Sequence, residues 1–203
     1  MEVFVSANST QLQASNGARF TVHRQSLYDT QIRTSVTVAN SSYRFFGDVQ
    51  NKPLHITNLR QNAQLEKGNS FQCHGIVFAA TNMDDLKPSM LHYLQRNSGI
   101  AFTISDKIYY ESALGMASGK IYQDSAKAGA TDASITLQSF GAPDARGVAF
   151  GKNPWNIDSQ QGFAVNLSTS GLVGAEIVAA TPTAAFDLYL RCELKGLYTR
   201  PIQ

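Results

Sequence analysis

Two short stretches look suited to phosphate chemistry. "GMASGK" at residues 115–120 and "GVAFGK" at 147–152 each close a glycine-rich run with a lysine. A phosphate-binding loop needs four residues between its glycines, so that backbone N–H groups can wrap the phosphates, and a hydroxyl after the lysine for Mg²⁺. Both stretches have only three intervening residues, and Ile121 or Asn153 follows the lysine. Nucleotide binding is not expected, and glycines in β-turns account for both.

The other chemistry-bearing residues fare similarly. His23, His55, His74 and His92 lack the i, i+4 spacing of a helical zinc site, and no C-x-x-C completes one. Cys73 and His74 are adjacent, but on a strand neighbours point to opposite faces and cannot converge on one ion. Asp84 and Asp85 are neighbouring carboxylates at a helix start, where they favour the dipole and capping over acid–base work. No G-x-S-x-G elbow is present. Trp155, in "NPWNI", has the ring to stack on a sugar, although a lone Trp between Pro and Asn more often anchors a loop. No catalytic, cofactor-binding or metal-ligating residue is assigned, and no enzymatic activity is expected.

The elements that would position these residues are mostly strands. In "FDLYLRCELKGLYTRPIQ" (186–203), Phe186, Leu188, Leu190, Cys192 and Leu194 alternate with Asp187, Tyr189, Arg191, Glu193 and Lys195. A period of two puts the apolar set on one face of a strand. "QIRTSVTVAN" alternates at Ile32, Thr34, Val36 and Val38. "FQCHGIVFAAT" is β-rich, and its interior Gly75 suggests a bulge or a close backbone approach. "IAFTISDKIYYES" reads as two strands about a Ser-Asp turn. "ASITLQSF" is a further expected strand. "SYRFFGDVQ" carries aromatics and a Gly-Asp turn, "PLHITNL" follows after Pro53, and "NPWNIDSQQGFAVNLSTSG" and "AEIVAAT" lead to the terminal strand. The first 25 residues read as an arm plus a first strand, with "SNG" as a turn.

One helix is expected, in "TNMDDLKPSMLHYLQRNSG". Pro88 suits its first turn, Leu86, Met90, Tyr93 and Leu94 recur at helical spacing, and Gly99 would stop it. Eight or nine strands with frequent turn signals predict an all-β sandwich or barrel rather than βαβ units. No linker divides the chain, so residues 26–203 are expected to form a single domain. Tyr43, Phe45 and Phe46 are expected in its core, as is Phe4.

Composition adds a constraint. The 203 residues are 43% hydrophobic but only 16% charged, with a net charge of +2, against about 25% charged in a typical domain. Free enzymes usually stay soluble by charge, so this surface suits one largely covered by neighbours. Basic residues never cluster, which argues against nucleic-acid readout. The opening "MEVFVSANST" has acidic Glu2 and no apolar core, so a secretory signal is not expected. No apolar stretch approaches the ~20 residues of a transmembrane helix. The sequons at Asn8, Asn40 and Asn166 then reflect only the abundance of Asn and Ser, and synthesis in the cytoplasm is expected. Cys73 and Cys192 read as buried hydrophobes, with pairing across adjacent strands left open.

Residues 70–203 carry a further pattern. "FQCHGIVFAAT" is followed by the helix in "DDLKPSMLHYLQRNSG", by "IAFTISDKIYYESAL", by "NPWNIDSQQGFAVNLSTSG", and by a last strand closing with "LKGLYTRPIQ". This order resembles the jelly-roll capsid proteins of tailless icosahedral bacteriophages, including those with an internal membrane. The resemblance implies a single jelly roll of about eight strands and one short helix. It implies a self-assembling capsid subunit of the virion, major, minor or at a vertex. The implied partners are copies of itself (a trimer, pentamer or hexamer), other virion proteins, and the internal membrane or packaged genome. It implies no cofactor and no small-molecule substrate. The tail beyond Gly196 would then reach a neighbouring subunit, with Arg200 as a bidentate donor. Two rival readings are a carbohydrate- or receptor-binding β-sandwich of a virion, using Trp155, and a β-sandwich hydrolase with dispersed carboxylates.

Overall fold

A computed structural model describes residues 3–6, 9–13, 19–33, 41–82, 97–113, 148–149, 153–169 and 188–202. Twelve strands appear among them: β1 (Val3–Ser6), β2 (Ser9–Gln13), β3 (Arg19–Arg24), β4 (Leu27–Arg33), β5 (Ser41–Phe45), β6 (Ser70–Asn82), β7 (Ser98–Ile104), β8 (Lys107–Ala113), β9 (Val148–Ala149), β10 (Trp155–Ile157), β11 (Phe163–Thr169) and β12 (Leu188–Pro201). They form two antiparallel sheets, packed face to face as a β-sandwich. The first runs β1-β2-β3-β12-β6-β10, with β4 also on β12 and β9 also on β6; the second runs β5-β11-β7-β8.

The alternating strand read in residues 186–203 is the spine of the first sheet. One side of β12 pairs with β6 along nearly its whole length; the other side pairs with β4 through Leu188–Leu194 and with β3 through Leu197–Pro201. β3 and β4 are thus one line broken at Gln25 and Ser26, where the Gln25 N–H still donates to the Gly196 carbonyl (3.2 Å). β9 and β10 likewise lie successively along β6. With each broken line counted once and the hairpin β1-β2 set aside, the twelve described strands reduce to eight. The stretch read as an arm and a first strand holds three strands that extend this sheet.

Burial follows the alternation. Leu190, Cys192 and Leu194 are buried, while Arg191, Glu193 and Lys195 between them are half-exposed. In β7 every second residue is buried, and Phe163, Val165 and Leu167 of β11 match them on the same inner face. Phe45 meets Phe78 edge-on across the two sheets (5.7 Å, 77°), and Phe46 packs on Phe163 (5.4 Å). Each buried Phe contributes roughly 1.5–3 kcal/mol by transfer from water. One core spans both sheets. Phe45 and Phe46 lie in it and Tyr43 packs against it, as expected. The Phe4 backbone runs in β1.

The Ser-Asp turn is present. Ser105 and Asp106 both take positive φ (48° and 63°) between β7 and β8, the twist-matched geometry of a two-residue hairpin. Asn97 is helical, but residues 83–96 of the expected helix lie outside the described residues. Gly99 does not stop a helix. It is already the second residue of β7, opposite Ser168 on one side and Ala113 on the other. Residues 34–40, "ASITLQSF" and "AEIVAAT" also lie outside the described residues, and "PLHITNL" forms turns and one bridge, Asp29 to Thr57.

Candidate functional site

Gly75 marks an irregularity, as its place in a strand suggested. Lys195 faces Gly75 and Gly196 faces Cys73, so His74 is an extra, unopposed residue on β6. Cys73 is fully buried and His74 exposed, its Nε2 lying 3.2 Å from Gln72 Oε1. The two therefore point to opposite faces and share no ligand. His23 is half-buried on β3, and His55 is exposed with its carbonyl accepting from Arg191 Nη2. His92, Asp84, Asp85 and "GMASGK" lie outside the described residues. Within "GVAFGK", Val148 and Ala149 pair with Ile76 and Gly75, so this piece is strand rather than turn. Among the described residues, no three His, Cys, Asp or Glu side chains gather closely enough to hold a metal ion. No helix among them is long and apolar enough to cross a membrane.

Both cysteines are free and buried. Cys192 lies opposite Phe78 and Cys73 opposite Gly196, an offset of four residues along β12, or roughly 13 Å at 3.3 Å per residue. A disulfide needs Cα atoms within about 7 Å. Burial pushes the Cys73 thiol up to about 12, and it pushes Cys192 well above its usual value, with Cys73, Asp29 and Glu193 adding repulsion. Both are neutral packing groups.

The one charge that is fully buried among the described residues is Asp29, on the inner face of β4. Sequence reasoning passed over it, and its isolated place in "SLYDTQIR" gives no local signal. Its Oδ2 accepts from the Phe46 N–H (2.8 Å) and from Gln31 Nε2 (3.2 Å), and its Oδ1 pairs with Lys52 Nζ (3.0 Å). Phe46 is held at φ 67° as the chain leaves β5. The carboxylate therefore ties the first sheet to the end of the second. Beside it, Asn58 and Thr57 hydrogen-bond the Tyr28 backbone (2.8–3.3 Å), closing the free edge of β4 with a loop. All of these partners are structural.

Trp155 is half-buried on β10 and spans the sandwich. Phe102 stacks on one face (5.3 Å, 20°), and Tyr109 and Tyr110 approach at 6.0 Å. Phe102 fills one face of the indole, while Tyr109 and Tyr110 approach the ring edge-on or tilted. Tyr109 and its neighbour Ile108 are exposed, at 42% and 55%. Arg200 lies over the Tyr198 ring (4.9 Å). The chain beyond Gly196 pairs in its own sheet, with the exposed Arg200 opposite Thr21.

The outer faces of the two sheets differ. On the first, Arg191, Glu193 and Lys195 stand in a row, Lys195 paired with Glu193 and Arg191 hydrogen-bonded to Thr30 Oγ1 (3.1 Å). The second carries mostly short side chains, Ser42, Ala101, Thr103, Ala113, Asn166 and Ser168, together with Arg44, Ile108 and Glu111, while Ala164 on it is buried. They leave a shallow hollow of about 520 Å³, lined in part by Gly99, Ala101, Ala113 and Ser168, with Glu111 its one titratable side chain. A single carboxylate among hydroxyls and methyls can bind or dock, but it supplies no acid–base pair.

Comparison with protein-family models, with curated proteins and with solved structures gives no match to this chain.

Proposed function

We propose that this protein is a non-enzymatic capsid subunit of a virion, built as a single jelly roll that associates with copies of itself. Strand order is the observation that carries the reading. When an eight-strand antiparallel hairpin is rolled over one core, strands 1 and 8, 2 and 7, 3 and 6, and 4 and 5 pair. Wrapping then sets 8 beside 3 and 7 beside 4, giving sheets 1-8-3-6 and 2-7-4-5. With β3–β4 and β9–β10 each counted as one line, and β1-β2 as an added hairpin, the first sheet has that order through β3–β4, β12, β6 and β9–β10; the second has it through β5, β11, β7 and β8. Jelly rolls serve capsids, lectins and cupins alike, and fold alone does not choose among them.

The low charge of the chain favours the capsid reading, because interface cores are depleted in charge. Other virion proteins, and lipid or genome against one face, belong to the same proposal. Light scattering of the purified protein across concentration and salt tests it. A trimer, pentamer, hexamer or larger closed assembly is expected, and a chain that stays monomeric at the highest concentration would count against it.

A further inference from the structure

The outer face of the second sheet has a self-complementary charge pattern. Register places Arg44 opposite Asn166, Asn166 opposite Ala101, and Ala101 opposite Glu111. These four residues form one row across β5, β11, β7 and β8, with Arg44 at one edge and Glu111 at the other, their backbones about 14 Å apart at 4.8 Å per strand. The exposed Arg44 side chain lies over Gly47. The rows on either side are uncharged: Ser42, Ser168, Gly99 and Ala113 on one, Ala164, Thr103 and Ile108 on the other. Arg44 and Glu111 are both exposed, and neither has an ion-pair partner among the described residues.

We infer that a second copy of this chain docks on this face, sheet against sheet, about a two-fold axis running parallel to the strands. Such an axis exchanges the two edges, so β5 of one copy lies over β8 of the other. Arg44 of each chain then meets Glu111 of its mate, and two ion pairs form from one row. A two-fold axis perpendicular to the strands would instead set Arg44 against Arg44 and Glu111 against Glu111. Like charges in register are penalised, so the pattern selects one axis. Facing strands remain roughly aligned, the usual arrangement for packed sheets. The short side chains in the middle allow close approach, and the hollow over Gly99 and Ala113 receives the other copy's surface.

The face measures roughly 19 Å by 17 Å from strand spacing and rise, about 300–350 Å² per copy. That is below the ~1,200 Å² total of a standard stable interface. The contact is therefore weak, micromolar or above, and sensitive to salt. The inference deepens the capsid proposal, since it names one of the contacts through which copies would associate.

The test is sedimentation velocity on the full chain and on Arg44→Glu and Glu111→Arg, alone and mixed in equal amounts, up to about 1 mM. The wild type is expected to dimerise reversibly through this face. Each variant alone sets like charges against each other on the row and should bind itself at least about tenfold more weakly. The mixture should regain the dimer. There the acid introduced at position 44 of one chain faces the base introduced at position 111 of the other, and the unchanged Glu111 and Arg44 form the second pair. Larger assemblies that survive both reversals unchanged would overturn this contact and leave the capsid proposal standing. A wild type that forms only this dimer would support the contact and count against a shell. A monomeric wild type, or a mixture no stronger than its components, would overturn the contact.

Discussion

Cys73 and Cys192 show how one residue type takes its chemistry from position. On the inner face of the sandwich the thiol loses hydration, and the ionised form is penalised. Burial raises Cys73 from 9.0 to about 12 and Cys192 well above its usual value. In the unfolded chain both thiols ionise near pH 8.5–9. The folded state thus holds protons that the unfolded state has lost, and stability falls as pH rises from about 9 towards 12, by up to about 1.4 kcal/mol per pH unit for each thiol. Below pH 8 these groups contribute no slope. Urea midpoints at pH 8, 9, 10 and 11 should fall less steeply in Cys73→Ala than in the wild type; equal slopes would refute the assignment. Asp29 is the opposite case, a buried carboxylate whose two oxygens are both partnered. Asp29→Ala strands the Phe46 N–H and leaves Lys52 without its carboxylate, so a loss of about 3 kcal/mol is expected. Asp29→Asn keeps an acceptor for Phe46 and should lose about half as much. Chemical denaturation of the two variants checks the order.

Among the elements, β12 depends on a glycine that the alternating pattern does not reveal. Where β12 passes the bulge at His74, a Cβ on Gly196 would lie 2.0 Å from the Gln72 carbonyl oxygen and 2.7 Å from the Phe71 ring. The Gln72 oxygen belongs to backbone inside a sheet, so it cannot swing aside. Gly196→Ala is expected to cost about 3 kcal/mol or more, near the top of the range for single substitutions. Thermal melting against Gly99→Ala is the control, since a Cβ at Gly99 meets its nearest neighbour at 3.8 Å. Equal losses in the two variants would sink the argument. Gly75 carried the sequence signal for the bulge, and the bulge is there. The steric demand sits on the facing strand, because register brings Gly196 over Gln72 and no local pattern encodes register between strands 120 residues apart.

Across the molecule as a unit, what is local was legible in the order of residues. The period of two in 186–203 settled which side chains of β12 turn inward, since successive Cβ atoms point to opposite faces wherever the strand lies. Ser105-Asp106 marked a hairpin for the same reason, as a tight turn needs only its own residues. The motif arguments over the histidines and glycine-rich stretches also rested on local spacing. Folding in three dimensions was needed to make β12 a central strand with neighbours on both sides, to keep Arg200 within its own sheet, and to stack Trp155 on Phe102. It likewise set Arg44 and Glu111 in one row. Each of these depends on which strands pair and in what register, which is fixed by closing one core from segments far apart in the chain. Asp29 belongs with them. Its partners Phe46 and Lys52 come from beyond the next strand, and only the packed sandwich brings them to one carboxylate.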